Sequence, residues 1–247
     1  MISIVCVYNN ETILNEYLIK SLDSATSKYE LILVDNRENK FKSASEALNF
    51  GGNKAKGDYI AFIHQDIKFN SQNFLDELEA ILNKTNDLGI AGMAGVSEDI
   101  KGVISNIVQG ESSDSVGKNK IEKPLKVQTL DECLIVIPSS VFDRLKFDEK
   151  TCDDWHLYGV DYSLSVGELG FSAYVLPMCI YHRSPGYSMS EGYDITMKKL
   201  LKKHKDNYKW IYTTLGNYNT HLPLSLQKNA KKVLIPVLKA LNLWKYD

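Results

Sequence analysis

Residues 57–69 read GDYIAFIHQDIKF. Gly57 introduces an apolar run, Tyr59 to Ile63, rich in strand formers and too short for an independent helix. The run predicts a buried parallel strand, and its carboxyl end breaks into His64-Gln65-Asp66. Open α/β sheets bind ligands beyond the carboxyl ends of their strands, which is where this imidazole and carboxylate stand. Side chains i and i+2 of an extended segment share one side, so His64 and Asp66 can reach one cation or pyrophosphate. The competing reading is a polar strand-to-helix loop in which Asp66 helps to start a helix at Ser71.

Working outward, Ile2 to Val7 is a β-branched run that predicts a first buried strand, ending in Tyr8-Asn9-Asn10. Leu14, Leu18 and Leu22 mark a helical stripe. Tyr29 to Val34 predicts a second strand ending in Asp35-Asn36, and a helix over about Ser43 to Lys54 leads back to Gly57. The pattern β-α-β-α-β within the first 66 residues implies an α/β fold with a doubly wound, mostly parallel sheet and helices on both faces. Phe74, Leu78, Ile81 and Leu82 predict a further helix, and Ile90 to Val96 a fourth strand.

The turn after the first strand reads YNNETI, without the glycines of GxGxxG, and no GxxxxGK[ST] loop occurs. Phosphate therefore needs another neutralising partner, and a divalent cation held by Asp66 is the economical one. Asp35 is placed to accept hydrogen bonds from a base or ribose, or to cap the turn. The glycine-free turn also argues against a nucleotidyltransferase, which shares the sheet architecture.

The chain has 247 residues, 44% hydrophobic and 24% charged, with a formal net charge of −2. That balance gives no argument for a nucleic-acid partner. The four cysteines (Cys6, Cys133, Cys152 and Cys179) show no zinc spacing, and Cys6 and Cys179 read as buried thiols. No signal-peptide pattern follows Met1 and no run reaches the length of a membrane span, so a cytoplasmic location is expected.

ISIVCVYNNE, ELILVDN and ALNFGGNKAKGDYIAFIHQD together resemble the nucleotide-sugar-binding half of GT-A glycosyltransferases of the family-two type. The resemblance places Val7, Tyr8, Asn9, Asp35, Asn49, Gly51, His64, Gln65 and Asp66 at the nucleotide-sugar. His64 stands where that family has the first aspartate of DxD, a trait shared with a subset of bacterial capsule-type transferases. The resemblance further implies a metal-dependent, inverting transfer from a nucleotide-sugar, UDP-linked by expectation, to a bacterial surface glycan, with Mn²⁺ or Mg²⁺ as cofactor. Residues 1–207 would form the catalytic domain, with 1–96 the donor half and 97–207 the acceptor half, and 208–247 a helical extension.

In the second half, residues 97–126 are loose, with one candidate strand over Val103 to Val108. Thr129 to Ile137 is a strong strand with Asp131 and Glu132 at its entrance. The segment FDEKTCDDWHLYGVDYSLSVGELGF, residues 147–171, packs acids beside Trp155, His156 and Tyr158, and a helix is expected from Asp154. Carboxylates with aromatic rings suit a sugar acceptor; a solvated helix start is the competing reading. By resemblance to FDE…EDxDL, Asp161 is the general base, with Asp154 and Asp153 as fallbacks, while Val160 replaces the first acid. Asp131, Trp155, His156 and Tyr158 are the expected acceptor contacts. By the same resemblance His182, in VLPMCIYHRSPG, joins Asp66 at the metal. GYSMSEGY offers a closing segment, with Gly186 and Gly192 as hinges. MKKLLKKHK and residues 226–244 predict lysine-bearing helices, the latter kinked at Pro236, which either pack with a solvated face or lie against an anionic membrane. A non-catalytic nucleotide-sugar or carbohydrate-binding module of the same fold remains the alternative function.

Overall fold

The computed structural model describes residues 1–184, 192–230 and 232. Seven strands form the main sheet, in the order Leu125–Val127, Ser172–Val175, Leu88–Gly92, Leu134–Pro138, Tyr59–Ile63, Ile2–Tyr8 and Tyr29–Asp35. Ile2–Tyr8 pairs in parallel with both Tyr29–Asp35 and Tyr59–Ile63, as the alternating pattern requires. Leu134–Pro138 runs antiparallel between Tyr59–Ile63 and Leu88–Gly92, and Leu125–Val127 is antiparallel at the edge.

Period-two alternation divides the strand side chains between two cores. Ile2, Ile4, Cys6, Ala61, Ile63, Leu134 and Val136 face one side, where the stripe of Leu14, Leu18 and Leu22 and the helix Phe74–Leu82 cover them. Val5, Ile60, Phe62, Ile135 and Ile137 face the other, under the helices Ala44–Gly52 and Tyr158–Glu168. A third cluster joins Leu157, Val160 and Leu164 to Met197, Leu200 and Leu201 of the helix Tyr193–His204 and to Ile211 and Tyr218.

Several expected elements are divided or shifted. The fourth strand breaks at Met93 into Leu88–Gly92 and Ala94–Val96. Thr129 to Ile137 splits into Thr129–Leu130 and Leu134–Pro138, and the irregular Asp131–Cys133 between them sits at the sheet's functional edge. No helix starts at Ser71: Ile67–Phe69 forms a short strand first, antiparallel to Ile180–His182. Val103 to Val108 is two bridging pieces, Ile104–Ser105 and Val108–Gln109. The helix expected from Asp154 begins at Tyr158, because Leu157 adopts φ +69° and turns the chain sharply there. Cys179 is exposed, contrary to its apolar surroundings in sequence.

The sequence 208–247 is not wholly helical. Trp210–Thr213 and Gly216–Asn219 form an antiparallel hairpin, fixed by Gln128 Nε2 donating to Trp210 O (3.0 Å) and Tyr212 N donating to Gln128 Oε1 (2.8 Å). Residues 224–230 are helical. The kink at Pro236 and the closing segment 186–191 lie outside the described residues. Among the described residues no helix is long and apolar enough to cross a membrane.

Candidate active site

The carboxyl ends of Ile2–Tyr8 and Tyr59–Ile63 open into a cavity of about 510 Å³. Each side is held by short polar links. Gln65 Oε1 accepts from the backbone N–H of Asn9 (3.1 Å) and Asn10 (3.0 Å), and its Nε2 donates to Asn9 Oδ1 (2.8 Å). The middle residue of the HQD triplet therefore ties the metal-facing turn to the turn after the first strand. Antiparallel pairing of His182 with Ile67 brings the late histidine to the triplet. His182 Nε2 then lies 3.4 Å from Asp66 Oδ1, and Ser184 N donates to Asp66 Oδ2 at 3.2 Å.

One potential ligand atom from each of His64, Asp66 and His182 lies within 4.8 Å of the others. His182 Nε2 is buried and has no hydrogen-bond partner. A buried polar atom without a partner is costly, and here it faces a carboxylate in a nitrogen–oxygen donor set that suits a divalent cation. The residues fit such an ion. Burial opposes ionisation of Asp66, but His182 and His64 beside it hold its carboxyl down at about 2. Burial pushes the His64 imidazole below its usual range. Its Nε2 is 3.1 Å from the Tyr158 hydroxyl, which donates to Glu132 O at 3.3 Å.

In the sequence Glu132 reads only as a strand-entry acid. It lines the cavity, its Oε1 accepts from Gly159 N at 3.1 Å, and burial, reinforced by the neighbouring Asp131 charge, lifts its carboxyl to about 8. Asp131 also lines the cavity, its Oδ1 accepting from Cys133 N at 3.1 Å.

Of the residues expected at the donor, Val7, Tyr8, Asn9, His64, Gln65 and Asp66 line the cavity. Asp35 is paired in register with Tyr8 but sits outside the lining, where the Arg37 guanidinium holds its carboxyl below the usual range. Asn49 and Gly51 lie outside the lining and make packing contacts. Asn49 bonds Phe147 through both backbone groups (2.9 and 3.0 Å), and a Cβ at Gly51 would come within 2.4 Å of Val5. Their spacing encodes the seating of a helix on the sheet.

Asp131, Trp155, His156 and Tyr158, the residues expected at the acceptor, all line the cavity. The acids expected to act as base do not. Asp161 is buried, with Oδ1 2.9 Å from His204 Nε2 and Oδ2 2.8 Å from Lys203 Nζ. Asp153 pairs with Lys199 at 2.5 Å, and Asp154 lies with it in a separate hollow beside Gly192. The acid run and the lysine helix neutralise one another, so neither is a simply solvated face. The hairpin tip Thr213, Thr214 and Leu215 also reaches the cavity, with no signal in the sequence beyond its β-branched run.

The sequence profile of a glycosyltransferase-like family matches residues 2–205. The chain belongs to that family. A protein of Fuscovulum blasticum described as ATP synthase subunits region ORF 6 is 26% identical over 167 residues, which is 63% of each chain. Among solved structures, GalNAc-T7 with UDP, GalNAc and Mn²⁺ superposes with TM-score 0.59 at 14% identity, over 82% of this chain and 48% of that one. The mannosyltransferase PcManGT of Pyrobaculum calidifontis with GDP-Man and Mn²⁺ gives 0.59 at 12% identity, over 99% and 81%. TarS of S. aureus gives 0.56 at 14% identity, over 83% and 40%. The fold of this family member is GT-A.

Proposed function

We propose that this protein transfers a sugar from a nucleotide diphosphate-sugar to an acceptor hydroxyl, with inversion. The observation that carries the reading is the His64–Asp66–His182 group on the wall of the cavity in a member of this family. His64, Asp66 and His182 would hold a divalent cation, which when bound supplies Lewis-acid stabilisation to the departing diphosphate. Tyr8 and Asn9, with Asp35 behind them, receive the nucleoside. Trp155, His156 and Asp131 face the acceptor.

The described carboxylates that line the cavity are Asp66, Asp131 and Glu132. Asp66 belongs to the cation group, and Glu132 is half-buried with its Oε1 committed to Gly159 N. Asp131 is therefore the group assigned to take the acceptor proton, displacing Asp161 from that role. A UDP-linked donor is favoured by likeness to GalNAc-T7 and TarS, solved with UDP or UDP-GlcNAc. A surface-glycan acceptor and a cytoplasmic site of action, peripheral to the membrane, complete the reading.

Turnover of a panel of UDP- and GDP-sugars with Mn²⁺, scored as donor hydrolysis without acceptor, tests it. The sequestration of Asp161 favours a second reading, a non-catalytic nucleotide-sugar-binding module. Tight donor binding with no hydrolysis of any donor would select that second reading.

A further inference from the structure

Tyr193 opens the helix Tyr193–His204 and lines the cavity, and among the described residues its hydroxyl has no hydrogen-bond partner. The residue is 5% exposed, belongs to the cluster of Leu157, Ile211 and Tyr218, and meets His156 edge-on at 5.9 Å between ring centroids. The Tyr218 phenol and the Thr213 hydroxyl stand near enough to influence it, but neither meets hydrogen-bond geometry with Tyr193 Oη. Thr213 Oγ1 is committed within its own hairpin, donating to Gly216 O at 2.9 Å and accepting from Leu215 N at 3.3 Å. A buried phenol without a partner is costly, so a ligand oxygen at this point recovers bonding that the fold leaves unused. Burial pushes the phenol up, which keeps its proton available to donate.

Two exposed apolar side chains line the same cavity. Trp155, 38% exposed, adjoins His156 in the chain, and Leu215, 52% exposed, is at the tip of the hairpin that carries Thr213. An indole with an open face and a leucine cover the C–H surface of a sugar ring, while a few placed hydroxyls fix its orientation. The charge of the lining is one-sided. Asp66, Asp131 and Glu132 line the cavity, and no lysine or arginine of the described residues does. The segment 185–191, PGYSMSE, has no basic residue in its sequence. Burial holds the His156 imidazole below its usual range, so it adds no cation at neutral pH. A carboxylate or phosphate on an incoming sugar would meet Asp131 without a counter-charge, which disfavours it.

Resting on the proposed transfer reading, in which a bound cation is taken up by the donor's diphosphate, we infer that Tyr193 is a specificity-determining residue. Its hydroxyl donates to an acceptor sugar lying on Trp155 and Leu215, and the subsite takes an uncharged sugar while rejecting uronates and sugar phosphates. Tyr193 Oη holds an oxygen beside the attacking hydroxyl, which is left to Asp131.

The test uses the full chain at pH 7 with whichever UDP- or GDP-sugar it hydrolyses in the presence of Mn²⁺. Acceptors are the methyl glycosides of glucose, galactose, N-acetylglucosamine and glucuronic acid, with glucose 6-phosphate as a second acid, and transfer is read by mass spectrometry. The best neutral glycoside should exceed both acids in kcat/KM on the order of 10²-fold. Tyr193→Phe should lower that value about 10-fold, through KM. Its melting temperature should hold or rise, because the lost hydroxyl bonds nothing in the fold. Tryptophan fluorescence reads the subsite without turnover: neutral glycosides should quench it, the acids should not, and Trp155→Phe should lose the response. Acids accepted or bound as well as the neutral sugars, or a lowered melting temperature in Tyr193→Phe, would overturn the inference. No response to any neutral glycoside, in transfer or fluorescence, would also overturn it, while donor hydrolysis keeps the transferase reading standing. Neutral sugars that quench a protein hydrolysing no donor would sink the transferase reading alone.

Discussion

Two groups of imidazole and carboxylate stand in different parts of the molecule. In the first, His64, Asp66 and His182 meet at the cavity, and His182 Nε2 has no hydrogen bond. In the second, His204 is fully buried with Asp161 2.9 Å from Nε2 and Glu168 2.8 Å from Nδ1, and Lys203 bridges Asp161 to Asp148. The residue types are nearly the same, and their state of completion is opposite. The second group gives each of its acids, the lysine and both ring nitrogens a partner, and joins the helix Tyr158–Glu168 to Tyr193–His204. The first leaves one buried ring nitrogen, His182 Nε2, without a hydrogen bond beside a carboxylate. Acids and histidines in a sequence do not separate these cases; unspent bonding capacity does.

The contrast breaks most sharply at Asp66. Asp66→Ala should lower kcat/KM by roughly 10³-fold, because Lewis-acid stabilisation is worth several kcal/mol. The loss should coincide with insensitivity of the residual rate to EDTA; a rate still cut by EDTA would place the cation elsewhere. Asp131→Asn should reduce kcat by ~10²-fold with donor affinity retained. Near-normal kcat in that variant would return the search for the base to residues 185–191 or to Asp154.

Asp161→Asn sharpens the comparison from the other side. Breaking a buried charged network should destabilise by about 3–5 kcal/mol. Denaturant unfolding should register that loss, while kcat of the folded fraction stays within a few-fold of wild type. A large fall in kcat with unchanged stability would restore Asp161 to the chemistry.

The smallest effect concerns Glu132. Its carboxyl rises from an ordinary 4.5 to about 8 on folding, chiefly through burial. The folded chain thus holds a proton that the unfolded chain has released, so stability is present below pH 4.5 and is lost as pH rises through 8. Glu132→Gln should flatten the fall in melting temperature between about pH 5 and pH 8.5, without altering its value at the acid end by much. An unchanged slope would assign the pH dependence to other groups.

The first 66 residues were legible because their signals are local. A β-branched run, a polar turn and a triplet at a strand end each have a spacing that the sheet dictates, and Tyr8, Asn9, His64 and Asp66 all reach the cavity. Asn49 and Gly51 share that regular spacing, and it brings them into close packing against Phe147 and Val5, outside the cavity lining. The second half was harder because its partners are remote. Asp161 meets His204, which follows it by 43 residues, and no local pattern announces the pairing. Leu157 with its positive φ opens the helix at Tyr158, and Trp155, His156 and Tyr158 line the cavity while Asp161 is taken up by His204 and Lys203. A leucine in that region carries strain of about 1–3 kcal/mol, sustained by its burial.

The hairpin over residues 210–219 has a different kind of consequence. Its tip supplies Thr213, Thr214 and Leu215 to the cavity wall, yet it follows the last residue matched by the family profile and is fastened to the neighbouring strand by Gln128 and Thr129. That wall is an exchangeable part. A change in these residues leaves His64, Asp66 and His182 untouched while altering the wall that faces them. A chimera carrying a foreign hairpin between residues 209 and 220 would be expected to keep its metal affinity and change its choice of acceptor.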